Sequence, residues 1–279
     1  MTGRQARLLM CPPDHYGIEY EINPWMSRAC ESHHGKATIQ WLQLRQIFEQ
    51  LGATIELVDP VPGLPDMVFT ANAGLVFHDR IVSSRFRHVE RQGESAHFES
   101  WFTAHGFNVA SLATPAPFEG AGDALFCGDI LFAGYLHRSD IRAHTKLAHI
   151  VGCQVLGLEL VDPRFYHLDT CFCPLAPGVA LYFPEAFDDY GRRVLQAHIR
   201  TLIEVAEEDA VRFGCNAVVI GSDVVFNAGC DHLAEQLSVL GFRAHQADLS
   251  EFLKAGGAAK CLTLRLDGEE AAIWKSLAA

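Results

Sequence analysis

A strand–turn–strand pattern recurs four times along the 279 residues, and its spacing constrains the fold more than any other feature. GLVFHDRIVSS (74–84) sets two apolar runs around His78-Asp79-Arg80, and ALFCGDILFAGY (124–135) does so around Cys127-Gly128-Asp129. CFCPLAPGVALYFP (171–184) turns at Ala176-Pro177-Gly178, and AVVIGSDVVFNAG (217–229) turns at Gly221-Ser222-Asp223. β-Branched and apolar residues on either side of Gly, Asp or Pro are hairpin chemistry, because those residues accept the backbone angles of a tight turn. Helical stretches stand between the hairpins. ATIQWLQLRQIFEQLG (37–52) predicts a helix with Ile39, Leu42, Ile47 and Leu51 near one face, ending at Gly52. ESAHFESWFTAHG (94–106) and DHLAEQLSVLGF (231–242) also close on a glycine, and GRRVLQAHIRTLIEV (191–205) reads as the longest helix. Repeated hairpin-plus-helix units predict an α/β architecture built by radial repetition, although periodicity alone does not separate this from a doubly wound sheet.

Composition removes several classes of function. The formal charge of −12 comes without a basic stripe to neutralise phosphates, so nucleic acid is not an expected partner. A negative field is compatible with a cationic small substrate. No apolar run reaches the roughly 18 residues of a membrane span, and MTGRQARLLMCPPDHYG lacks a signal-peptide core. A cytoplasmic location with no membrane association is therefore expected. The nine cysteines are odd in number, irregularly spaced and without a CxxC pair, which speaks for reduced, mostly buried thiols. Neither metal-ligand spacing nor a nucleotide-binding glycine fingerprint is present, so no metal and no cofactor are expected.

Four segments carry chemistry. GGAAKC places Cys261 after small residues that permit a tight turn and close approach to the thiol, beside Lys260. FYHLDT puts His167 and Asp169 on one side of an extended segment, an acid/base imidazole next to a carboxylate that can hold a cation. FEGAGDAL offers two carboxylates, Glu119 and Asp123, that can grip a planar cation by paired hydrogen bonds. FTANAG opens the first hairpin with Asn72, a turn residue or a neutral ligand. Plainer uses exist for each: a core cysteine, a histidine bonded to its neighbour, and solvated acids in a turn.

The order FTANAG, FEGAGDAL, HLDT and GGAAKC resembles the guanidino-group-modifying (pentein) superfamily. Its members are the arginine deiminases, amidinotransferases, dimethylarginine hydrolases and arginine dihydrolases. The resemblance covers nearly the whole chain, 1–279 as one catalytic domain, and implies a five-bladed, pseudo-symmetric α/β propeller of ββαβ units around a central site. It implies that Cys261 attacks a guanidinium carbon and that His167 moves the protons. Glu119 would bind a guanidinium nitrogen or orient His167. The family loop is usually one residue tighter than FEGAGD, which leaves Glu119 and Asp123 as rivals for the place nearest the chemistry. Asp169 argues for an unmethylated guanidine. Asn72 stands where deiminases carry an acid, and a neutral amide could hold a ureido intermediate as readily as a guanidinium. With MCPPDHY and INPWM near the N-terminus, where Asn23 would be a second amide ligand, the chain looks most like arginine dihydrolases acting on arginine. Those enzymes can carry a further C-terminal domain, whereas the expectation here is the catalytic propeller alone. Arg91 and Arg138 lie where family members keep arginines for the substrate carboxylate, with Arg85 and Arg87 close enough to Arg91 to be confused with it. The alternatives are a deiminase, a dimethylarginine hydrolase or an amidinotransferase, and, apart from these, a non-catalytic binding protein on the same fold.

Overall fold

A computed structural model describes residues 5–269, 271 and 272, so the extreme ends of the expected domain lie outside the described residues. Its elements begin with β1 (Arg7–Met10), α1 (His34–Gln50) and β2 (Thr54–Leu57). The first hairpin is β3 (Gly74–Phe77) and β4 (Arg80–Ser83), followed by α2 (Glu94–Ala104) and β5 (Asn108–Ala110). The second is β6 (Ala124–Cys127) and β7 (Ile130–Tyr135), followed by α3 (His144–Val151) and β8 (Gln154–Glu159). The third is β9 (Phe172–Ala176) and β10 (Val179–Tyr182), followed by α4 (Asp189–His198) and β11 (Thr201–Glu204). The fourth is β12 (Val218–Ile220) and β13 (Asp223–Asn227), followed by α5 (Asp231–Val239) and β14 (Arg243–Ala247). The last strand, β15 (Leu264–Arg265), returns to β1.

Among the described residues these strands form five three-stranded sheets. In each, the first strand is antiparallel to the second and the third is parallel to it, reached through the crossover helix. This is the expected ββαβ unit of a five-bladed α/β propeller. All four predicted hairpins are present. The fifth unit is composite: β15 pairs antiparallel with β1 through Leu8–Arg265 and Leu9–Leu264, so the two ends of the chain build one sheet.

Two helix expectations are corrected. The buried face of α1 is Ala37, Trp41, Leu44 and Phe48, whereas Ile39 and Leu42 are exposed. Large apolar residues occupy both faces of that segment, and the aromatic stripe is the one the core accepts. The stretch 191–205 is not one helix: α4 ends at His198, and Thr201–Glu204 is a strand parallel to β10. Its β-branched Thr201 and Ile203 suit a pleated strand better than a helix.

β6 and β13 are buried at every position. β2, at the other side of its sheet, is half-exposed to exposed. That gradient explains why ALFC and VVF read as unbroken apolar runs: strands covered on both faces do not alternate. No helix among the described residues is long and apolar enough to cross a membrane.

Candidate active site

The chemistry-bearing residues occupy one equivalent place in each unit, the tight turn just before its first strand. Asn72 lies in the 3-10 turn Thr70–Ala73 that precedes β3. Glu119 and Asp123 flank the turn Gly120–Gly122 that precedes β6. His167 leads the turn Leu168–Thr170 before β9. Asn216 precedes β12, and Cys261 precedes β15. Hydrogen bonds tie these turns into a closed ring. Asn72 Nδ2 donates to the Glu119 carbonyl at 3.2 Å, and Glu119 Oε2 lies 2.7 Å from His167 Nε2. Asn216 Nδ2 donates to the Asp169 carbonyl at 3.0 Å, and Asn216 Oδ1 accepts from the Cys261 amide at 3.1 Å. The Cys261 carbonyl accepts from Ala71 N at 3.1 Å and closes the circle. Radial repetition thus brings residues separated by up to 190 positions of sequence around one centre.

Close approach of backbones explains the small residues. Gly120 has φ +60, and a Cβ there would stand 2.7 Å from the Gly74 carbonyl oxygen. Gly256 has φ +82, and its Cβ would meet Asn23, Trp25 and Tyr166 at 3.0 Å each. Both positions need glycine for angle and for space.

Cys261 is buried, its Sγ accepting from Asn216 Nδ2 at 3.1 Å and lying 3.5 Å from Asp169 Oδ2. Burial, reinforced by the Asp169 carboxylate, pushes the thiol well above the ordinary cysteine range. Of the two cations that could favour the thiolate, Lys260 or a bound guanidinium, Lys260 is engaged elsewhere, its Nζ pairing with Glu269 at 2.6 Å. Asp169 is itself destabilised as an anion: burial lifts its carboxyl to about 7, against a smaller opposing effect of Lys260. Its Oδ1 is buried with no hydrogen-bond partner among the described residues. A cation entering beside Sγ and Asp169 would relieve both groups at once, favouring thiolate and carboxylate together.

Glu119 is the opposite case. Burial opposes its charge, but Arg138 at 3.2 Å and the His167 contact more than compensate and hold its carboxyl far below the usual range. Its Oε1 also accepts from Arg87 N at 3.0 Å. Glu119 rather than Asp123 is therefore the carboxylate in contact with the imidazole. Asp123 is occupied by scaffolding: Oδ2 accepts from Ser139 N and Oγ at 3.1 and 2.6 Å, and Oδ1 accepts from Leu168 N at 3.1 Å. It joins the β7–α3 connection to the His167 turn.

Arg91 lies buried over the Phe86 ring and is bidentate to Glu94 at 2.8 Å, while Nη1 donates to Asn72 Oδ1 at 2.8 Å. The fork expected to meet a substrate carboxylate is thus taken by Glu94, and Arg91 fixes the Asn72 amide from behind. Arg85 and Arg87 have exposed side chains. Arg138 stacks over Tyr166 at 4.5 Å and donates to the Ile22 carbonyl at 3.0 Å, which places it under the N-terminal loop. Asn23 belongs to that loop and is engaged at both ends. Nδ2 donates to the Ala255 carbonyl at 3.0 Å, and Oδ1 accepts from Trp25 N at 2.9 Å and Met26 N at 3.3 Å. The side chain straps the loop to the segment leading into Cys261.

Sequence reasoning missed three residues. Asp66 is buried near Arg91 (3.9 Å), its Oδ1 without a hydrogen-bond partner among the described residues, and Glu94 is buried as the partner of Arg91. Asp66 is a single acid among apolar residues and Glu94 one of several acids in a polar stretch, so neither stands out by periodicity. Asn216 had one: like Asn72, it stands directly before a β-rich hairpin. Among the described residues no cluster of His, Cys, Asp and Glu has the arrangement of a metal site.

The family model described as "N,N dimethylarginine dimethylhydrolase, eukaryotic" matches residues 20–266. The bifunctional arginine dihydrolase/ornithine cyclodeaminase AgrE of Nostoc sp. is 51% identical over 95% of this chain, and the chain spans 38% of AgrE. The N(G),N(G)-dimethylarginine dimethylaminohydrolase of Mycobacterium tuberculosis is 42% identical over 95% of this chain and 87% of its own length. A crystal structure of the N-terminal domain of ArgZ, a cyanobacterial arginine dihydrolase, bound to its substrate, superposes with a TM-score of 0.92. It is 49% identical and covers 95% of this chain and all of that domain. With five ββαβ sheets, one ring of turns and these relatives, the chain belongs to the dimethylarginine dimethylaminohydrolase family within the guanidino-group-modifying superfamily.

Proposed function

We propose that the chain is a cytoplasmic arginine dihydrolase, one catalytic unit that converts arginine and two waters to ornithine, two ammonia and carbon dioxide. The observation that carries this reading is Asp169 standing 3.5 Å from Cys261 Sγ with its other oxygen buried and unpartnered, a seat for a guanidinium N–H beside the nucleophile. Guanidinium is resonance-stabilised, and a carboxylate aligned with one edge localises its charge for attack. The Cys261 thiolate forms a C–S bond, and one C–N bond breaks as ammonia leaves with a proton from His167. Water gives a proton back to His167 and displaces the thiolate, leaving a ureido group. Attack on the ureido carbon releases the second ammonia and leaves a thiocarbamate. Its hydrolysis gives a carbamate that loses carbon dioxide to form ornithine. Glu119, kept anionic by Arg138, stabilises the imidazolium of each proton transfer.

Asn72 favours the two-step outcome over a deiminase. Held between Arg91 and the Glu119 carbonyl, it presents a neutral amide beside the site and does not add the negative charge that would favour guanidinium over a ureido group. Asp66, close to Arg91 and with one oxygen lacking a partner among the described residues, suits the substrate ammonium, and the Arg138 guanidinium suits its carboxylate. The Nostoc relative and the substrate-bound cyanobacterial domain support arginine as substrate. A second reading, hydrolysis of methylated arginine, is favoured by the 42% identical mycobacterial relative. Asp169 weighs against it, since a methylated nitrogen has fewer protons to offer a carboxylate. The test is product analysis from arginine and from dimethylarginine with a Cys261→Ser control. Ornithine with about two ammonia per arginine, abolished in the control, is expected. Citrulline with one ammonia would remove the role given to Asn72, and dimethylamine from the methylated substrate alone would establish the second reading.

A further inference from the structure

Four of the five turns in the ring supply residues that the proposed reaction uses. The fifth, before β12, supplies only Asn216, which that mechanism leaves without a task. Its side chain is fully buried and makes four hydrogen bonds. Oδ1 accepts from Ala258 N at 3.2 Å and from Cys261 N at 3.1 Å. Nδ2 donates to the Asp169 carbonyl at 3.0 Å and to Cys261 Sγ at 3.1 Å. The two backbone N–H groups fix which end is oxygen, because a flipped amide would set N–H against N–H. The Asn216 carbonyl accepts from Lys260 N at 3.2 Å, so main chain and side chain grip the same loop. The donors and acceptors of the carboxamide are used on three segments that must keep fixed distances: the nucleophile, its loop and the Asp169 turn.

We propose that Asn216 is a positioning residue for the reaction, aiming the Cys261 sulfur and donating to it as thiolate while locking the nucleophile loop to the Asp169 turn. The assignment rests on Cys261 being the nucleophile. A hydrogen bond to sulfur strengthens when the sulfur carries charge, so the Nδ2 donor favours the thiolate over the thiol. This matters here because the surroundings otherwise oppose it. Asp169 lies 3.5 Å from Sγ, the buried Tyr166 is near enough to Cys261 for each to disfavour the other's anion, and Lys260 is already paired with Glu269. His167, two residues before Asp169, is paired with Glu119. Asn216 is a neutral donor that favours the thiolate before any cationic substrate has arrived.

The test compares Asn216→Leu and Asn216→Ser, both neutral, with the unaltered protein. The readout is iodoacetamide alkylation against pH at the Cys261 peptide by mass spectrometry, with arginine turnover alongside. The expected result is a Cys261 midpoint at least about one pH unit higher and kcat lowered at least tenfold, with KM changed less than threefold. An unchanged or lowered midpoint in either folded variant overturns the proposal, even if the rate falls at all pH values, because a loosened loop would expose the thiol and relieve the burial that raises it, whereas loss of the Asn216 donor raises the midpoint. If neither variant gives a cooperative melt, Asn216 is a folding residue and the proposal fails. Retained turnover in Cys261→Ser would instead bring down the functional reading, while the alkylation profile still reports on Asn216.

Discussion

Asp169 is kept where a carboxylate is least comfortable. Its carboxyl titrates at about 7 in the fold against an ordinary 3.8, burial being the main cause. Between those values the native state holds a proton that the unfolded chain has released. Stability from this group therefore falls as pH rises through the window from about 4 to 7. Glu94, lifted to about 7, and Asp123, lifted to about 6, act with the same sign. Asp169→Asn removes the charge without removing volume. It should abolish turnover and yet raise the melting temperature at pH 8 by about 4–8 °C, roughly 2 kcal/mol for a chain of this size. The gain should vanish near pH 4, where the native aspartic acid is already neutral. Calorimetry at the two pH values checks it, and a lower melting temperature at pH 8 would mean that the carboxylate is structurally required.

At the scale of elements, the turns carry the function and the strands hold them. Gly256 shows how narrow the tolerance is. Gly256→Ala forces a left-handed φ on a residue with a side chain and drives its Cβ to 3.0 Å from Asn23, Trp25 and Tyr166. A loss of about 1–3 kcal/mol in stability is expected, with a larger loss in kcat because the same loop aims Cys261; denaturant melts and kinetics on one preparation separate the two. The four hairpins were legible because Gly, Asp and Pro punctuate them, whereas Cys261, His167 and Glu119 were singled out by the order of their motifs and its resemblance to the superfamily, each motif alone having a plainer use; the fold brings their turns into one ring. Other features were not. The face of α1 was misread because Ile39 and Leu42 match the helical period as well as Trp41 and Phe48 do, and only the tertiary contact chooses between them. Asn216 sits in GCNAVVI, and although its place before a hairpin matches that of Asn72, its contacts with Cys261 and Ala258 depend on a loop more than 40 residues away. Asp123 and Asn23 were readable as polar and close to the site, but which groups they bind depends on segments far away in sequence.

For the whole molecule, the critical contact is the one that completes the fifth sheet. β15 pairs with β1 at only two positions, supported by Leu266 N donating to the Arg7 carbonyl at 2.8 Å. Arg7 N also donates to Asp267 Oδ1 at 3.1 Å, across 260 residues of chain. Closing so long a loop has an entropic cost that two backbone pairs do not offset, so the apolar packing of the strand has to. Leu264, fully buried opposite Leu9, supplies it. Leu264→Ala should cost about 2–5 kcal/mol. Its effect should concentrate where the ring opens. Hydrogen exchange should accelerate together over 7–10 and 264–266, while β13, buried at every position, stays protected. Cys261 lies three residues before Leu264 and its carbonyl bonds Ala71, so the same opening should expose its thiol to alkylation faster than in the unaltered protein. Acceleration spread evenly over all five sheets would instead mean that the ring unfolds as one unit and that its composite sheet is no weaker than the rest.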